Sequence, residues 1–183
     1  MKGVDTMLML HKYTDTELKT LLSSIVILSD SREQQNKHIL DAFDKKDIRH
    51  HTMKLDTGDY SFYLPENKDL GISRDMYFDN EITVERKNSL NELSNNIAQE
   101  RTRFENELMR YKGKIVLLVE NNSYMDIFCH TYTTKLSEKA FFASLMSFKA
   151  KYNLDIEFID YTYTWYYLYY TFYYFLRNYL KNG

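Results

Sequence analysis

Two uninterrupted apolar runs, Ile25-Val26-Ile27-Leu28 and Ile115-Val116-Leu117-Leu118-Val119, constrain this chain more than any other feature. Neither alternates with polar residues, so neither fits a strand with one wet face, and both are short for a helix buried all round. Consecutive apolar residues of this kind belong to strands covered on both faces, as in α/β domains with helices on either side of a sheet. The first run delivers Asp30 to its carboxyl end, the edge at which ligands gather in open α/β sheets. With 183 residues there is room for one such domain and no second of similar size.

Helical periods fill the space between these strands. Thr14-Asp15-Thr16-Glu17 fits a capping box that opens a short helix through Leu18, Leu21 and Leu22. Residues 33 to 46 read as a second helix, with Ile39, Leu40 and Phe43 on its apolar side, and a strand is expected from Ile48 to Leu55. His50 and His51 are adjacent in that strand and point to opposite faces, which argues against a shared metal site. Leu90, Leu93, Ile97, Phe104, Leu108 and Tyr111 form one apolar stripe, read as a single helix with Ser89 as N-cap and Glu92 completing a capping box. Further along, Tyr124 to Phe128 reads as a short helix or turn, Ser137 to Lys151 as a helix and Asp155 to Ile159 as an edge strand.

The chemistry lies between Asp59 and Lys87. Two strand-like runs, Tyr60 to Leu64 and Glu81 to Glu85, bring Gly58-Asp59-Tyr60 and Val84-Glu85-Arg86-Lys87 to adjacent strand ends. Alternation along a strand puts Glu85 and Lys87 on one face and turns Arg86 away, so Asp59, Glu85 and Lys87 form a cluster. Mg²⁺ is typically held by one or two carboxylates, with water and substrate phosphate filling its shell. Asp59 and Glu85 supply such a pair, the Arg86 carbonyl a further oxygen, and Lys87 a compact positive charge for the attacking water or the phosphate. The loop from Pro65 to about Asp79, which carries Gly71 and Arg74, is long enough to be a candidate substrate loop or an ordinary surface excursion.

The order Asp30-Ser31-Arg32-Glu33, then Gly58-Asp59-Tyr60, then Val84-Glu85-Arg86-Lys87 resembles the nuclease domain of the XPF-type structure-specific endonucleases, closest to the short single-domain forms of phages and Gram-positive bacteria. The resemblance implies a restriction-endonuclease-like α/β fold, a central mixed sheet flanked by helices, over residues 14–183, with 1–13 as an N-terminal extension. It further implies a PD-(D/E)xK site: Asp59 and Glu85 as metal ligands, Lys87 as the catalytic lysine, and Asp30 as a further acidic ligand. Arg32, Glu33 and Arg86 join the catalytic set, while Arg86, Arg101 and Arg74 are the expected DNA contacts. Arg101 falls inside the apolar stripe, where an unpaired charge is costly, so it is expected to reach a carboxylate or phosphate near the site. Two departures stand out: Asn91 occupies the place of a family aspartate four residues after the lysine, and Glu100-Arg101 replaces Gly-Arg.

Function expected from this resemblance is Mg²⁺- or Mn²⁺-dependent cleavage of branched, flapped or forked DNA in phage or bacterial repair, recombination or replication. The alternatives are a catalytically silent DNA-binding scaffold subunit and a structural dimerisation protein. A net charge of −2 means that phosphate contacts come from local patches and metal rather than general basicity. One cysteine, Cys129, excludes an internal disulfide framework and suits a reducing cytoplasm, and the N-terminus, with its brief apolar run Met7 to Leu10, reads as no signal peptide. Tyr161 to Leu180 is crowded with aromatics, yet its tyrosines and threonines make a poor membrane span. Trp165, Leu168, Phe172, Phe175 and Tyr179 form its expected core stripe. The remaining tyrosines are expected at a homodimer interface, with base stacking as a further reading.

Overall fold

A computed structural model describes residues 13–182, so the expected extension at 1–13 lies almost wholly outside the described residues. Along the chain run α1 (Asp15–Ser23), β1 (Val26–Asp30), α2 (Lys37–Lys45), β2 (His50–Met53), β3 (Tyr60–Leu64), β4 (Met76–Tyr77), β5 (Ile82–Lys87), α3 (Leu90–Ala98), α4 (Arg101–Arg110), β6 (Lys114–Glu120), α5 (Tyr124–Phe128), α6 (Glu138–Lys151), β7 (Leu154–Ile159) and α7 (Thr164–Asn182). The strands form one mixed sheet in the order β2-β1-β3-β5-β6-β7, with β4 paired to β3 off this path. Strand β3 runs antiparallel to both β1 and β5, whereas the β1–β2, β5–β6 and β6–β7 pairs are parallel.

Both faces are covered, as the apolar runs require. Val116 and Leu118 join Ile39, Phe43, Phe62, Leu168 and Phe172 in a core under α1, α2 and α7. Ile115, Leu117 and Val119 point the other way, into a core with Leu93, Phe104, Phe141, Leu145 and Phe148 of α3, α4 and α6. The Thr14–Glu17 capping box is present, and β7 forms a sheet edge as expected.

Several boundaries differ from the sequence reading. Helix α2 starts at Lys37, because Glu33 and Gln35 are drawn toward Arg86 instead of continuing a helix. Strand β2 stops at Met53, and the Leu55 N–H leaves the ladder to bond the Asp30 carboxylate at 2.8 Å. The single helix expected after Ser89 is two, since α3 is capped at Gln99 and α4 begins at Arg101. The 65–79 segment folds back as a 3-10 turn at Lys68–Leu70, an Asn67–Ile72 bridge and β4, with Ile72 and Phe78 buried. It leaves β3 at the end opposite Asp59, so this excursion and its Arg74 sit roughly 17 Å of strand away from Asp59. On α7 the buried stripe is Thr164, Leu168, Phe172 and Leu176, which keeps Leu168 and Phe172 of the expected set; Trp165 and Phe175 flank it and Tyr179 stays 42% exposed. No helix among the described residues is long and apolar enough to cross a membrane.

The turn before β3 admits only glycine. Gly58 has φ +74°, and a Cβ there would lie 2.0 Å from the Thr83 hydroxyl. That hydroxyl donates to the Thr57 and Tyr60 carbonyls, closing the turn that delivers Asp59. Gly58→Ala is therefore expected to cost about 2–3 kcal/mol and to lower the melting temperature by roughly 5–10 °C, measured by circular dichroism.

Candidate active site

Parallel strands end together, and the inverted β3 begins where its neighbours stop. Ser29 pairs with Tyr60, and Tyr60 with Val84, so Asp30, Asp59 and the Glu85–Lys87 run meet at one edge. The backbone closes the gap: Asp59 N–H donates to the Val84 carbonyl at 2.9 Å, and Asp30 N–H to the Asp59 carbonyl at 2.7 Å. Asp59's carboxylate then accepts the backbone N–H of Arg86 at 2.8 Å.

Along β5 the alternation has a direct consequence. Lys87 Nζ lies 2.8 Å from Glu85 Oε1 and 3.4 Å from Glu92 Oε1, above the Phe104 ring. Burial works against the Lys87 ammonium, but the Glu85 charge and hydrogen bond, with help from Glu92, outweigh it and hold its pKa above the usual lysine range. Lys87 is therefore a fixed positive charge and no proton acceptor. Asp59 is displaced in the other direction from a carboxylate's norm: burial first, then the Glu85 charge, raise its pKa well above the ordinary value, and the Arg86 N–H only partly offsets them.

Arg86 faces the opposite core. Its guanidinium bonds Glu120 at 2.7 Å, Glu33 at 3.2 Å and the Gln35 carbonyl at 3.1 Å. Glu120 in turn accepts the Thr164 hydroxyl at 2.6 Å and lies 3.1 Å from His38 Nε2. At 4% exposure the Arg86 side chain is spoken for, which corrects its expected role as a DNA contact and makes Glu33 its counter-ion. Asp30 is likewise committed. Both its oxygens are engaged, by Arg32 Nε and backbone N–H on one and by Arg32 Nη2 and Leu55 N–H on the other. That corrects its expected role as a metal ligand. Among the described residues, no three carboxylate, histidine or cysteine side chains gather as a metal cluster.

Above Asp59 and Glu85 opens a cleft of about 900 Å³. One wall is Arg32 and Glu33 to Gln35; the other comes from α3 and α4, with Glu92, Asn95, Arg103, Phe104, Glu107 and Arg110. Arg103 and Arg110 were not singled out from sequence. Arg101 was, but it bonds Glu105 at 2.7 Å and the Ser144 hydroxyl at 2.8 Å over Phe148, away from the cleft. The break at Gln99 re-phases the helix, so Arg103, Glu107 and Arg110, at steps of four and three along α4, face the site instead. Asn91 donates nothing to the cluster: its side-chain oxygen accepts the Thr133 N–H at 2.7 Å. Glu92 accepts the Asn88 N–H at 3.0 Å, one residue before the N-cap position expected for a capping box, and also reaches Lys87, so its role is not capping alone.

Sheet order and the edge where the charges meet place the chain in the restriction-endonuclease-like fold class. Within that class, residues 29–164 match the ERCC4 domain model, and the chain belongs to that family. Among solved structures it is similar to XPF from Aeropyrum pernix, at 16% identity and a TM-score of 0.56 over 80% of this chain and 59% of that one. It is also similar to XPF from Aeropyrum pernix in complex with DNA, at 16% identity and a TM-score of 0.56 over 78% of this chain and 60% of the other. Comparison with curated proteins finds no match.

Asp30 also sets an acid limit on stability. Burial opposes its ionisation, but the Arg32 and Leu55 hydrogen bonds prevail and hold its pKa below the ordinary value. A carboxylate depressed in the fold stabilises above its unfolded pKa and loses that contribution as pH falls through the folded one. Asp30→Asn should therefore cost about 2 kcal/mol at pH 7, and urea unfolding should show the gap to the parent closing below about pH 4.

Proposed function

We propose that this chain is a divalent-cation-dependent DNA endonuclease acting on branched, flapped or forked DNA. The observation that carries this reading is the Asp59–Glu85 pair at the floor of a cleft whose rim bears Arg32, Arg103 and Arg110, with Lys87 bonded to Glu85. Two neighbouring carboxylates, one with its pKa raised by burial and then by the other's charge, favour a cation beside them, which fits the donor set that Mg²⁺ or Mn²⁺ accepts. Asp59, Glu85 and the Arg86 carbonyl would hold it. When bound, such an ion lowers the pKa of a coordinated water and takes up charge on the scissile phosphate.

The chain's own groups do the rest. Lys87 supplies a positive charge beside Glu85 to hold the attacking water or a phosphate oxygen. Arg103 bonds Glu107 and lies near Glu100, exposed pairs that phosphate oxygens displace at little cost. Arg110 and Arg32 extend the same rim. A catalytically silent scaffold would have no need to keep Asp59, Glu85 and Lys87 together, which favours the enzyme; family membership and the likeness to a DNA-bound structure support the substrate class.

Asp59→Asn and Glu85→Gln are expected to lower cleavage of labelled flap and fork DNA about 100-fold or more while leaving DNA binding and thermal unfolding near those of the parent. EDTA should abolish turnover of the parent. Cleavage that survives EDTA would overturn the metal reading.

The α7 helix carries a second part of the proposal. Tyr166, Tyr169, Tyr170, Tyr173 and Tyr174 pack ring against ring along its outer side, with Tyr166 49% and Tyr174 58% exposed. Tyrosine is enriched at interface cores, and pairing two such helices covers both faces in a homodimer. Sedimentation should show a dimer for the parent and a folded monomer for Tyr170→Glu/Tyr174→Glu; a monomeric parent at tens of micromolar would contradict it.

A further inference from the structure

Lys87 holds one oxygen of the Glu85 carboxylate that the proposed cation would share. Its Nζ is 2.8 Å from Glu85 Oε1, and the side chain is 9% exposed. Two cations on one carboxylate repel each other, and each weakens the other's hold on it. An ammonium released inside the protein without another acceptor would carry a large desolvation cost. Among the described residues, Glu92 is the other carboxylate within 4.0 Å of that Nζ, at 3.4 Å.

Glu92 is also held in place. Its second oxygen, Oε2, accepts the Asn88 N–H at 3.0 Å, while its own backbone N–H donates to the Ser89 hydroxyl at 3.3 Å. The carboxylate is thus fixed in the first turn of α3, with Oε1 directed at Lys87 and the cleft. The neighbouring Asn91 is turned away to Thr133 and offers Lys87 nothing.

We propose that Glu92 is a positioning residue that takes over Lys87 from Glu85 when a divalent cation enters the site. Lys87 is then a resident counter-ion that gives way to the metal, and Glu92 keeps it beside the cleft, aimed at the substrate phosphate. The inference rests on the metal-dependent reading above. Glu92 acts through Lys87 and touches no reacting atom.

Ca²⁺ provides the test, since its oxygen-ligand preference allows occupancy to be read without turnover. Isothermal titration with Ca²⁺ is compared for the parent, Asp59→Asn, Glu92→Gln and Glu107→Gln. The last removes the same charge from the same cleft without touching Lys87. Glutamine at 92 keeps an oxygen for the Asn88 N–H, so the melting temperature should stay within about 2 °C of the parent. Glu92→Gln should weaken Ca²⁺ about tenfold and Glu107→Gln by less than about threefold. In the parent, the Lys87 ammonium resonance, assigned by its loss in Lys87→Arg, should move on Ca²⁺ addition; in Glu92→Gln at saturating Ca²⁺ it should instead show rapid exchange with solvent. Equal weakening by the two glutamine variants, or an unchanged Lys87 resonance in the Ca²⁺-bound parent, would overturn the role of Glu92 and leave the nuclease reading standing. Absence of Ca²⁺ binding, or binding indifferent to Asp59→Asn, would overturn both together.

Discussion

A guanidinium buried between two carboxylates sets the geometry on which the site depends. Arg86 is held by Glu120 and Glu33 under α2 and the start of α7, where leaving it unpaired would be among the costliest defects the fold could carry. Its side chain cannot rotate out, so the residues on either side, Glu85 and Lys87, must take the other face of the strand, where they bond each other. Its backbone N–H, meanwhile, bonds the Asp59 carboxylate. One residue thus fixes the orientation of β5 through its side chain and the Asp59 carboxylate through its backbone.

The cleft itself is acidic at its floor and basic at its rim. That arrangement suits a polyanion whose backbone is gripped at the edges and whose scissile group is carried inward only with a cation for company. The hold on the rim arginines differs: Arg103, on α4, is paired with the exposed Glu100 and Glu107, whereas Arg32, in the loop after β1, is tied to the buried Asp30 carboxylate.

Much of this was legible in the residues. Unbroken apolar runs specify a sheet covered on both faces, and strand alternation separates Glu85 and Lys87 from Arg86; the Thr14–Glu17 box was readable because capping is local chemistry. What was not legible depends on partners distant in sequence. Asp30 reads as a free acidic residue until Arg32 and the Leu55 N–H are seen to consume both oxygens. The stripe from Leu90 to Tyr111 looks continuous because a two-residue break at Gln99 and Glu100 leaves apolar spacing nearly intact. Yet that break rotates α4 enough to send Arg101 to Ser144 and Arg103 into the cleft. The glutamate at 92 shows the opposite limit, since a capping position and a lysine contact are compatible and local sequence reveals only the first.

Strand β3 is inserted against the direction of its neighbours, and this has a bearing on when the site comes into being. Asp59 enters the edge from an incoming chain segment, Glu85 from an outgoing one, and the Asp59 N–H to Val84 carbonyl bond joins positions on different strands. Such non-local pairings wait for loop closure and form late relative to helices and hairpins. A nascent or partly unfolded chain therefore has Glu85 and Lys87 without Asp59 beside them. Completion of the sheet is the step that assembles the cluster, so the charged site exists only in the native state.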